Sequence, residues 1–330
     1  MNILIAEDNP INQKLLGAML ESEGHHVFPA NDGMEALDIL QQENIEAVIS
    51  DILMPRMDGY RLCKNLRQND RLGHIPFIFY TSTYTSSTDE KLALKMGADS
   101  YLKKPASYEE IVEALAEGLQ ALEDTLSSLS PEDWKRPTLL RPVDPNAPPW
   151  DVLTLAAHMD FFMGMTLTLV GEAQEGRPCL DRASFCMAAS DRSQVAPLVY
   201  QYMIDHAKGH TPTTMLDTVR QTFKNVLEAI RTTPPDTIGP AFFAPMRLDE
   251  FVPTRVTEIV VHGMDLTDAL GRPPLDLPKA TPIAAEILDE VLARVKVPGR
   301  PADLVGDDLA FIRAAAGRGE HPDPRLPVVG

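Results

Sequence analysis

The stretch Ala47–Gly59, AVISDILMPRMDG, constrains the fold more than any other part of this chain. Four mostly apolar residues lead directly into Asp51, and a Met-Pro turn and an Asp-Gly pair follow. An apolar run this short, bounded by turn signals, is typical of a buried parallel strand. Ligands of open α/β sheets bind beyond the carboxyl ends of such strands. Asp51 is therefore predicted to be an accessible acid at a strand end.

Four more short apolar runs surround this one, and helical patterns fill the gaps between them. The runs lie at Asn2–Ala6, His26–Ala30, Phe77–Thr81 and Ser100–Lys103. Strands that alternate with helices at this spacing predict a parallel sheet with right-handed crossovers. We expect an α/β doubly wound, five-stranded parallel sheet in the first part of the chain.

Polar residues follow these predicted strands. Glu7 and Asp8 end the first strand and Asp51 ends the third, so three carboxylates meet if those strands are neighbours. The like charges repel one another, and a hard divalent cation such as Mg²⁺ relieves that repulsion. Thr81 ends the fourth strand and Lys104 follows the fifth. A hydroxyl and an ammonium are thus expected where they can bind a phosphoryl group carried by Asp51.

Residues 1–122 resemble a two-component receiver domain, which has a flavodoxin-like fold. The resemblance rests on Glu7-Asp8, the DxxMPxMDG run at Asp51, Thr81-Ser82 and Lys104-Pro105. The opening AEDNPINQ is most similar to receivers attached to hybrid sensor kinases.

The resemblance to receivers implies a role for each motif residue. Asp51 is the phosphoacceptor, and Thr81 and Lys104 contact the phosphoryl group. Tyr101 is the switch aromatic, and the Lys104–Pro105 peptide bond is cis. The implied Mg²⁺ ligands are Glu7, Asp8, Asp51 and the Leu53 carbonyl. The implied partner is a sensor histidine kinase or a phosphotransfer protein, and a homodimer through the receiver is expected.

Residues 123–330 show helical patterns and no series of alternating strands. The patterns cover Trp150–Val170, Gln194–His206, Thr213–Ile230, Val252–Leu270 and Thr281–Arg294. They predict a helical bundle, whose facing helices commonly build metal or ligand sites. The helical pattern Tyr108–Leu126 crosses the predicted domain boundary at residue 122 without a Gly or Pro break. This helix is interpreted either as an element that couples phosphorylation to the second half of the chain or as a simple covalent spacer.

Three residues of this second half form a candidate metal site. Glu258 and His262 are four residues apart and share one helical face, and His158 lies two turns along another helix. Two histidines and a glutamate with an open position are typical of a catalytic zinc or similar site. A surface Glu–His pair and a core histidine remain the alternative. The rival pair His206 and His210 is expected at a frayed helix end.

Residues 126–270 resemble the metal-binding helical domain of mycothiol-dependent maleylpyruvate isomerase, one of the DinB-like four-helix bundles. The resemblance rests on LSPEDW at Leu129–Trp134, the Trp150-to-His158 spacing and Arg255-x₂-Glu258-x₃-His262-Gly263-Met264-Asp265-Leu266. It implies that His158, Glu258 and His262 bind Zn²⁺ or another divalent transition metal, and that a low-molecular-weight thiol such as mycothiol takes part. The Pro-rich tail after Arg272 does not match the isomerase's own C-terminal domain.

Charge and composition narrow the classes of function. The formal net charge is −18, and residues 1–122 and 123–330 each contribute −9. Neither part therefore offers the basic surface that nucleic acid requires. No apolar run was expected to reach membrane-spanning length, so a cytoplasmic protein without membrane contact is predicted. The cysteines Cys63, Cys179 and Cys186 are too few for a disulfide framework.

The sequence thus predicts a response regulator with a metal-binding helical output domain. Three hypotheses for the output stay open: a metal- and thiol-dependent transferase or isomerase, a partner-binding module stabilised by metal, and an uncoupled fusion of two domains.

Overall fold

The computed structural model describes residues 1–82, 87–138, 140, 149–178, 180–189, 196–295 and 299–329. The chain forms two compact units, Met1–Ala106 and Ser107–Gly330. The sequence placed the boundary at residue 122 instead, so the structure assigns the intervening helix to the second unit. Cys179 and the start of the predicted helix Gln194–His206 lie outside the described residues.

The first unit contains a five-stranded parallel sheet with the order β2-β1-β3-β4-β5. Its strands are β1 (Asn2–Ala6), β2 (His26–Ala30), β3 (Ala47–Ser50), β4 (Phe77–Thr81) and β5 (Ser100–Lys103). Its helices are α1 (Pro10–Ser22), α2 (Gly33–Gln42), α3 (Gly59–Arg67) and α4 (Ser87–Lys95). The predicted flavodoxin-like fold and the five strands are confirmed.

The strand order determines where the acids lie. Because β1 lies between β2 and β3, Ala6 is in register with both Ala30 and Ser50. The N–H of Glu7 donates to the Ala30 carbonyl at 2.9 Å, and the N–H of Asp51 donates to the Ala6 carbonyl at 2.8 Å. The carboxyl ends of β1 and β3 are therefore adjacent, which is the condition for the predicted cluster of three carboxylates.

The second unit is helical. Its helices are α5 (Tyr108–Ser127), α6 (Val152–Gly171), α7 (Arg182–Ala189), α8 (Ala196–Lys208), α9 (Pro212–Thr232), α10 (Leu248–Leu270), α11 (Ala280–Val295) and α12 (Asp308–Ala315). A short antiparallel pair, β6 (Ile238–Gly239) and β7 (Met246–Arg247), precedes α10. Short 3₁₀ helices lie at Asp133–Lys135 and Ala302–Leu304.

Four of these helices form the bundle. α6 packs on α9 and α10, and α5 packs on the same two helices from the other side. The apolar face of α5 is buried in this bundle along its length, from Ile111 to Leu126. This packing is the reason that the compact unit begins at Ser107 and not at residue 123. The predicted four-helix bundle is confirmed.

Helix α6 is one of the four bundle helices. Asp151 caps its first turn by accepting the Thr154 N–H at 2.8 Å. The helix is 20 residues long and apolar enough to cross a membrane by length and composition, contrary to the expectation from sequence. In the structure 61% of its most apolar window is buried inside the protein. Such burial is typical of a bundle-core helix, which is apolar around most of its circumference.

Candidate functional site

The first candidate site lies at the carboxyl edge of the sheet. Oxygen atoms of Glu7, Asp8 and Asp51 all lie within 4.8 Å of one another. Glu7 and Asp51 are buried, whereas Asp8 is exposed. Carboxylate oxygens with access to solvent are the donor set that Mg²⁺ prefers, because the ion keeps several of its waters. The residues present therefore fit a magnesium ion.

Lys104 extends from the end of β5 into this acidic cluster. Its backbone N–H donates to the Thr81 carbonyl at 2.8 Å, which fixes the residue beside the end of β4. Its ammonium donates to Asp51 Oδ2 at 2.5 Å and to Glu7 Oε2. The side chain is 5% exposed, so the charge is held among its partners with little contact with water.

Burial and ion pairing have opposite effects on the pKa values in this cluster. Burial has the largest effect on Lys104 and would lower its pKa, but hydrogen bonds to Asp51 and Glu7 raise that pKa above its ordinary value. Burial raises the pKa of Glu7, although its contact with Lys104 counteracts part of that effect. A cationic lysine beside Asp51 is suited to neutralise anionic oxygens there.

The remaining receiver residues occupy different positions around the edge. Thr81 is buried at the end of β4. Tyr101 on β5 is half-buried, and its ring packs against Phe79 with 6.2 Å between centroids. Leu53 follows Asp51 in the loop after β3 with its side chain exposed, and the role of its carbonyl stays a prediction. Among the described residues the cis peptide bond is Leu326–Pro327, so the expectation for Lys104–Pro105 was wrong.

The second candidate site lies between α6 and α10. His158 Nε2 is 3.0 Å from His262 Nε2. Glu258 Oε2 is 3.1 Å from His262 Nε2 and 3.6 Å from His158 Nε2. Ligands at the typical Zn–N distance in a tetrahedral arrangement lie roughly 3.3 Å from one another. The three side chains thus fit a single divalent ion, and three protein ligands leave a fourth position open.

The protonation of this triad follows from its burial. Burial lowers the pKa of His158 to about 4, and the charge of His262 acts in the same direction. Burial would also lower the pKa of His262, but hydrogen bonds to Asp265 and Glu258 raise it to about 9. Burial would raise the pKa of Glu258, but hydrogen bonds from both histidines hold it well below its ordinary value. At neutral pH His158 is neutral and Glu258 ionised, which suits metal binding, whereas His262 must lose a proton before it can bind a metal.

Two residues around the triad were given no role from the sequence. Asp265, one turn after His262, accepts a hydrogen bond from His262 Nδ1 at 2.8 Å. That bond fixes the ring so that Nε2 faces the other two ligands. Arg318, in the C-terminal segment, pairs with Asp265 through Nε at 2.9 Å and Nη2 at 3.0 Å. Asp265 follows His262 by three residues in HGMDL, so helical spacing could have indicated it as a partner of His262. No sequence pattern connects Asp265 with Arg318.

A buried arginine, Arg255, lies on α10 one turn before Glu258. The guanidinium of Arg255 donates to the Phe162 carbonyl at 3.1 Å and is surrounded by aromatic rings. Its carbon Cζ lies 4.6 Å from the Phe251 ring centroid and 5.3 Å from that of Phe185. This positive charge is one of the influences that lower the pKa of Glu258. Arg255 therefore favours the ionised form of Glu258.

A cavity of about 210 Å³ adjoins the triad. Aromatic side chains form much of its wall: Phe162, Phe185, Phe242 and Phe243. Cys186 also lines it, and burial raises the pKa of that thiol to about 12, so it is uncharged at neutral pH. If the triad holds an ion, its open position beside this cavity would suit a small ligand with an anionic head and an apolar body.

The rival histidines do not join this site. His206 lies in the last turn of α8, and its Nε2 is 3.3 Å from Asp160 Oδ2. Asp160 also accepts the Thr222 hydroxyl at 2.5 Å. The ring of His210 contacts that of His206 with 5.3 Å between centroids. The described carboxylate partner of His206 is thus a core aspartate on α6 that the sequence did not indicate.

Two protein families match the chain in succession. Residues 3–116 match the response regulator receiver domain. Residues 115–267 match the mycothiol maleylpyruvate isomerase N-terminal domain. The two matches meet within α5, and the second includes His158, Glu258 and His262.

Individual relatives resemble the first part of the chain. The sensor histidine kinase RcsC of Escherichia coli K12 is 40% identical over 116 residues, which are 35% of this chain and 12% of the kinase. The chain thus spans about an eighth of that relative. The polar-differentiation response regulator DivK of Brucella anthropi is 31% identical over 114 residues, which cover 34% of this chain and 92% of DivK.

A solved receiver structure is also similar. It is the receiver domain of the sensor histidine kinase PA1611 from Pseudomonas aeruginosa, with a magnesium ion coordinated in its active-site cleft. It is 32% identical, with a TM-score of 0.30, and the match covers 32% of this chain and 86% of that one. Taken with the match to DivK over nearly its whole length, the family match shows that the chain belongs to the response regulator receiver family, with a mycothiol maleylpyruvate isomerase N-terminal domain following its receiver.

Proposed function

We propose that the chain is a phosphorelay response regulator in which Asp51 accepts a phosphoryl group. The donor is a sensor histidine kinase or a phosphotransfer protein, as for the receivers that it resembles. The observation that supports this most strongly is the convergence of Asp51, the acids Glu7 and Asp8, and the ammonium of Lys104 at one sheet edge.

The proposed step is an in-line displacement at phosphorus. A carboxylate oxygen of Asp51 forms the new O–P bond while the N–P bond to the donor imidazole breaks, and the electron pair leaves with the imidazole nitrogen. Lys104 pairs with the phosphoryl oxygens, and the Thr81 hydroxyl donates a hydrogen bond to one of them. Mg²⁺, held by Glu7, Asp8, Asp51 and the Leu53 carbonyl, supplies further positive charge when bound.

For the second unit we propose a divalent transition-metal site at His158, Glu258 and His262, with zinc as the first candidate. A bound metal would lower the pKa of a coordinating thiol such as mycothiol, so that the thiol would bind there as the thiolate. The apolar cavity receives the organic part of the ligand. The proposed activity is a thiol-dependent transfer or isomerisation. The convergence of three ligand atoms beside a cavity supports this proposal.

Helix α5 is the proposed connection between the two functions. It follows the Lys104-Pro105-Ala106 segment directly, and in the second unit it packs on α10, which carries Glu258 and His262. The helices approach closely at Gly118, where a Cβ would lie 2.5 Å from Cγ2 of Ile259, the neighbour of Glu258. We propose that phosphorylation shifts α5 and thereby changes the metal site.

The test is phosphorylation by a small-molecule phosphodonor with Mg²⁺, followed by Co²⁺ titration. Wild type should gain the mass of one phosphoryl group, and Asp51→Asn should not. If the domains are coupled, phosphorylation changes Co²⁺ affinity in wild type only. Equal affinities in both states would support an uncoupled fusion.

Thiol binding distinguishes the enzyme hypothesis from the hypothesis of a partner-binding module. A thiolate that coordinates Co²⁺ gives a sulfur-to-cobalt charge-transfer band, which the enzyme hypothesis predicts. A closed coordination shell without that band favours a non-enzymatic partner-binding module. Sedimentation of the phosphorylated and unphosphorylated forms tests the proposed homodimer, which a monomer in both states contradicts.

A further inference from the structure

The C-terminal segment after α11 contributes to the wall of the cavity beside the metal triad. Ala316, Arg318 and Val329 all line that cavity. The match to the isomerase N-terminal domain ends at residue 267, so these residues lie outside it. They belong to the tail that sequence comparison left without a role.

The position of Arg318 follows from the end of α12. Gly317 adopts a left-handed conformation with a φ of 67°. The N–H of Gly317 donates to the Ala314 carbonyl at 3.2 Å, and the N–H of Arg318 donates to the Arg313 carbonyl at 2.8 Å. These two bonds are the Schellman motif, which ends a helix and reverses the chain. The turn directs the Arg318 side chain toward α10.

Arg318 and Asp265 form a fork-shaped ion pair. Both guanidinium contacts are within 3.0 Å, and a third N–H donates to the Ala316 carbonyl at 2.6 Å. The exposed fractions of the two side chains are 12% and 1%, so solvent screens the pair weakly. A planar fork of this kind fixes orientation as well as charge.

Asp265 transmits that orientation to a metal ligand. Its Oδ2 accepts the His262 Nδ1–H at 2.8 Å and one Arg318 N–H at 3.0 Å. A carboxylate in this place sets the tautomer and the angle of the ligating ring. Without the guanidinium, Asp265 would be a buried charge whose remaining described side-chain partner is His262, and the carboxylate would be free to rotate away.

On these grounds we infer that Arg318 is a positioning residue of the metal site, and that the C-terminal segment completes a site whose ligands all lie on α6 and α10. The inference rests on the proposed metal function. Arg318 acts through Asp265 on His262 and is not itself a ligand.

A second arginine of the same segment provides the matched control. Arg313 pairs with Asp268, one turn farther along α10, at 2.7 and 3.1 Å. This pair also joins the tail to α10 through an arginine fork, but among the described contacts Asp268 does not touch a triad residue. Loss of Arg313 removes an equivalent attachment, together with a long contact of its Nη1 with the Arg318 carbonyl at 3.5 Å, and leaves the side-chain contacts from Arg318 through Asp265 to His262 in place.

The experiment is Co²⁺ titration of the full chain against a competing chelator. Arg318→Met should weaken Co²⁺ binding by about 10-fold, the lower end of the range for losing the direct partner of a ligating histidine, because Arg318 acts on His262 through Asp265. It should also alter the visible spectrum of bound Co²⁺, which reports ligand geometry. Arg313→Met should change the affinity by less than about threefold and leave the spectrum unaltered.

A double variant distinguishes positioning from general destabilisation. If Arg318 acts through Asp265, adding Arg318→Met to Asp265→Asn should weaken binding little further. Additive losses, or equal affinities for Arg318→Met and Arg313→Met, would overturn the inference. If Arg318→Met does not fold, Arg318→Lys against Arg313→Lys makes the same comparison, since lysine keeps the charge and loses the fork. A wild type without Co²⁺ binding refutes the proposed function and the inference together, whereas tight binding by Arg318→Met refutes the inference alone.

Discussion

We expect the helical unit to unfold when α5 is removed from it. Two fragments make the comparison: residues 107–330, which begin where the compact unit begins, and residues 123–330, which begin at the boundary predicted from sequence. The longer fragment retains α5 and should fold by itself. The shorter fragment lacks most of one of the four bundle helices.

The magnitude follows from the buried face of α5. The five large aliphatic side chains that the shorter fragment loses from this face are Ile111, Val112, Leu115, Leu119 and Leu122. Each fully buried aliphatic side chain contributes about 1.5–3 kcal/mol. Their sum is roughly 8–15 kcal/mol, an upper figure because unfolded chains already bury some apolar surface. A typical domain has a net stability of only about 5–15 kcal/mol, so the shorter fragment should not fold.

Urea unfolding followed by circular dichroism measures this difference. We expect a cooperative transition for residues 107–330 and a broad or absent one for residues 123–330. A control fragment that starts at residue 107 with Glu109→Gln, an exposed position on α5, should unfold like its parent. If residues 123–330 unfold cooperatively with a stability close to that of the longer fragment, α5 is not part of the bundle and this reasoning is wrong.

Three further predictions concern charge and protonation. Lys104→Met should lower the free energy of unfolding without Mg²⁺ by about 3 kcal/mol, because it leaves the buried carboxylates of Glu7 and Asp51 unpaired. In thermal melts Mg²⁺ should stabilise this variant more than it stabilises wild type. Equal stabilisation of the two proteins would count against the ion pairs. Because the pKa of His262 is raised to about 9, a metal must displace its proton. Co²⁺ affinity should therefore rise by about tenfold per pH unit between pH 6 and 8. An affinity that does not change with pH in competition titrations would contradict the raised pKa. With its pKa raised to about 12, Cys186 should react with iodoacetamide at neutral pH about a thousandfold more slowly than an ordinary thiol. Peptide mass mapping can determine the rate, and rapid labelling in the folded protein would refute the raised pKa.

The first unit was largely predictable because its signals are local. Each strand is a short apolar run, and the parallel order β1-β3-β4-β5 within the sheet places the polar residues that follow these strands at one edge. Asp51 and Lys104 are far apart in sequence, yet both follow strands directly, so the topology alone brings them close together. Helical spacing likewise placed Glu258 and His262 on one face of α10.

The helical unit was less predictable because periodicity shows which face of a helix is apolar and not which partner covers it. The pattern of α5 is the same whether the helix ends one domain or begins the next. Arg318 reaches Asp265 across 53 residues of chain, and no local pattern encodes that contact. His206 likewise meets Asp160, a polar residue within an otherwise apolar helix.

The most direct test of the account is the metal content of the purified protein, measured by elemental analysis. Wild type should contain close to one equivalent of zinc or another transition metal per chain. His158→Ala and His262→Ala should lose it, and His206→Ala, which alters a histidine outside the triad, should retain it. Wild type without metal even after supplementation would contradict the proposed output site, and the second unit would then be best explained as a partner-binding bundle.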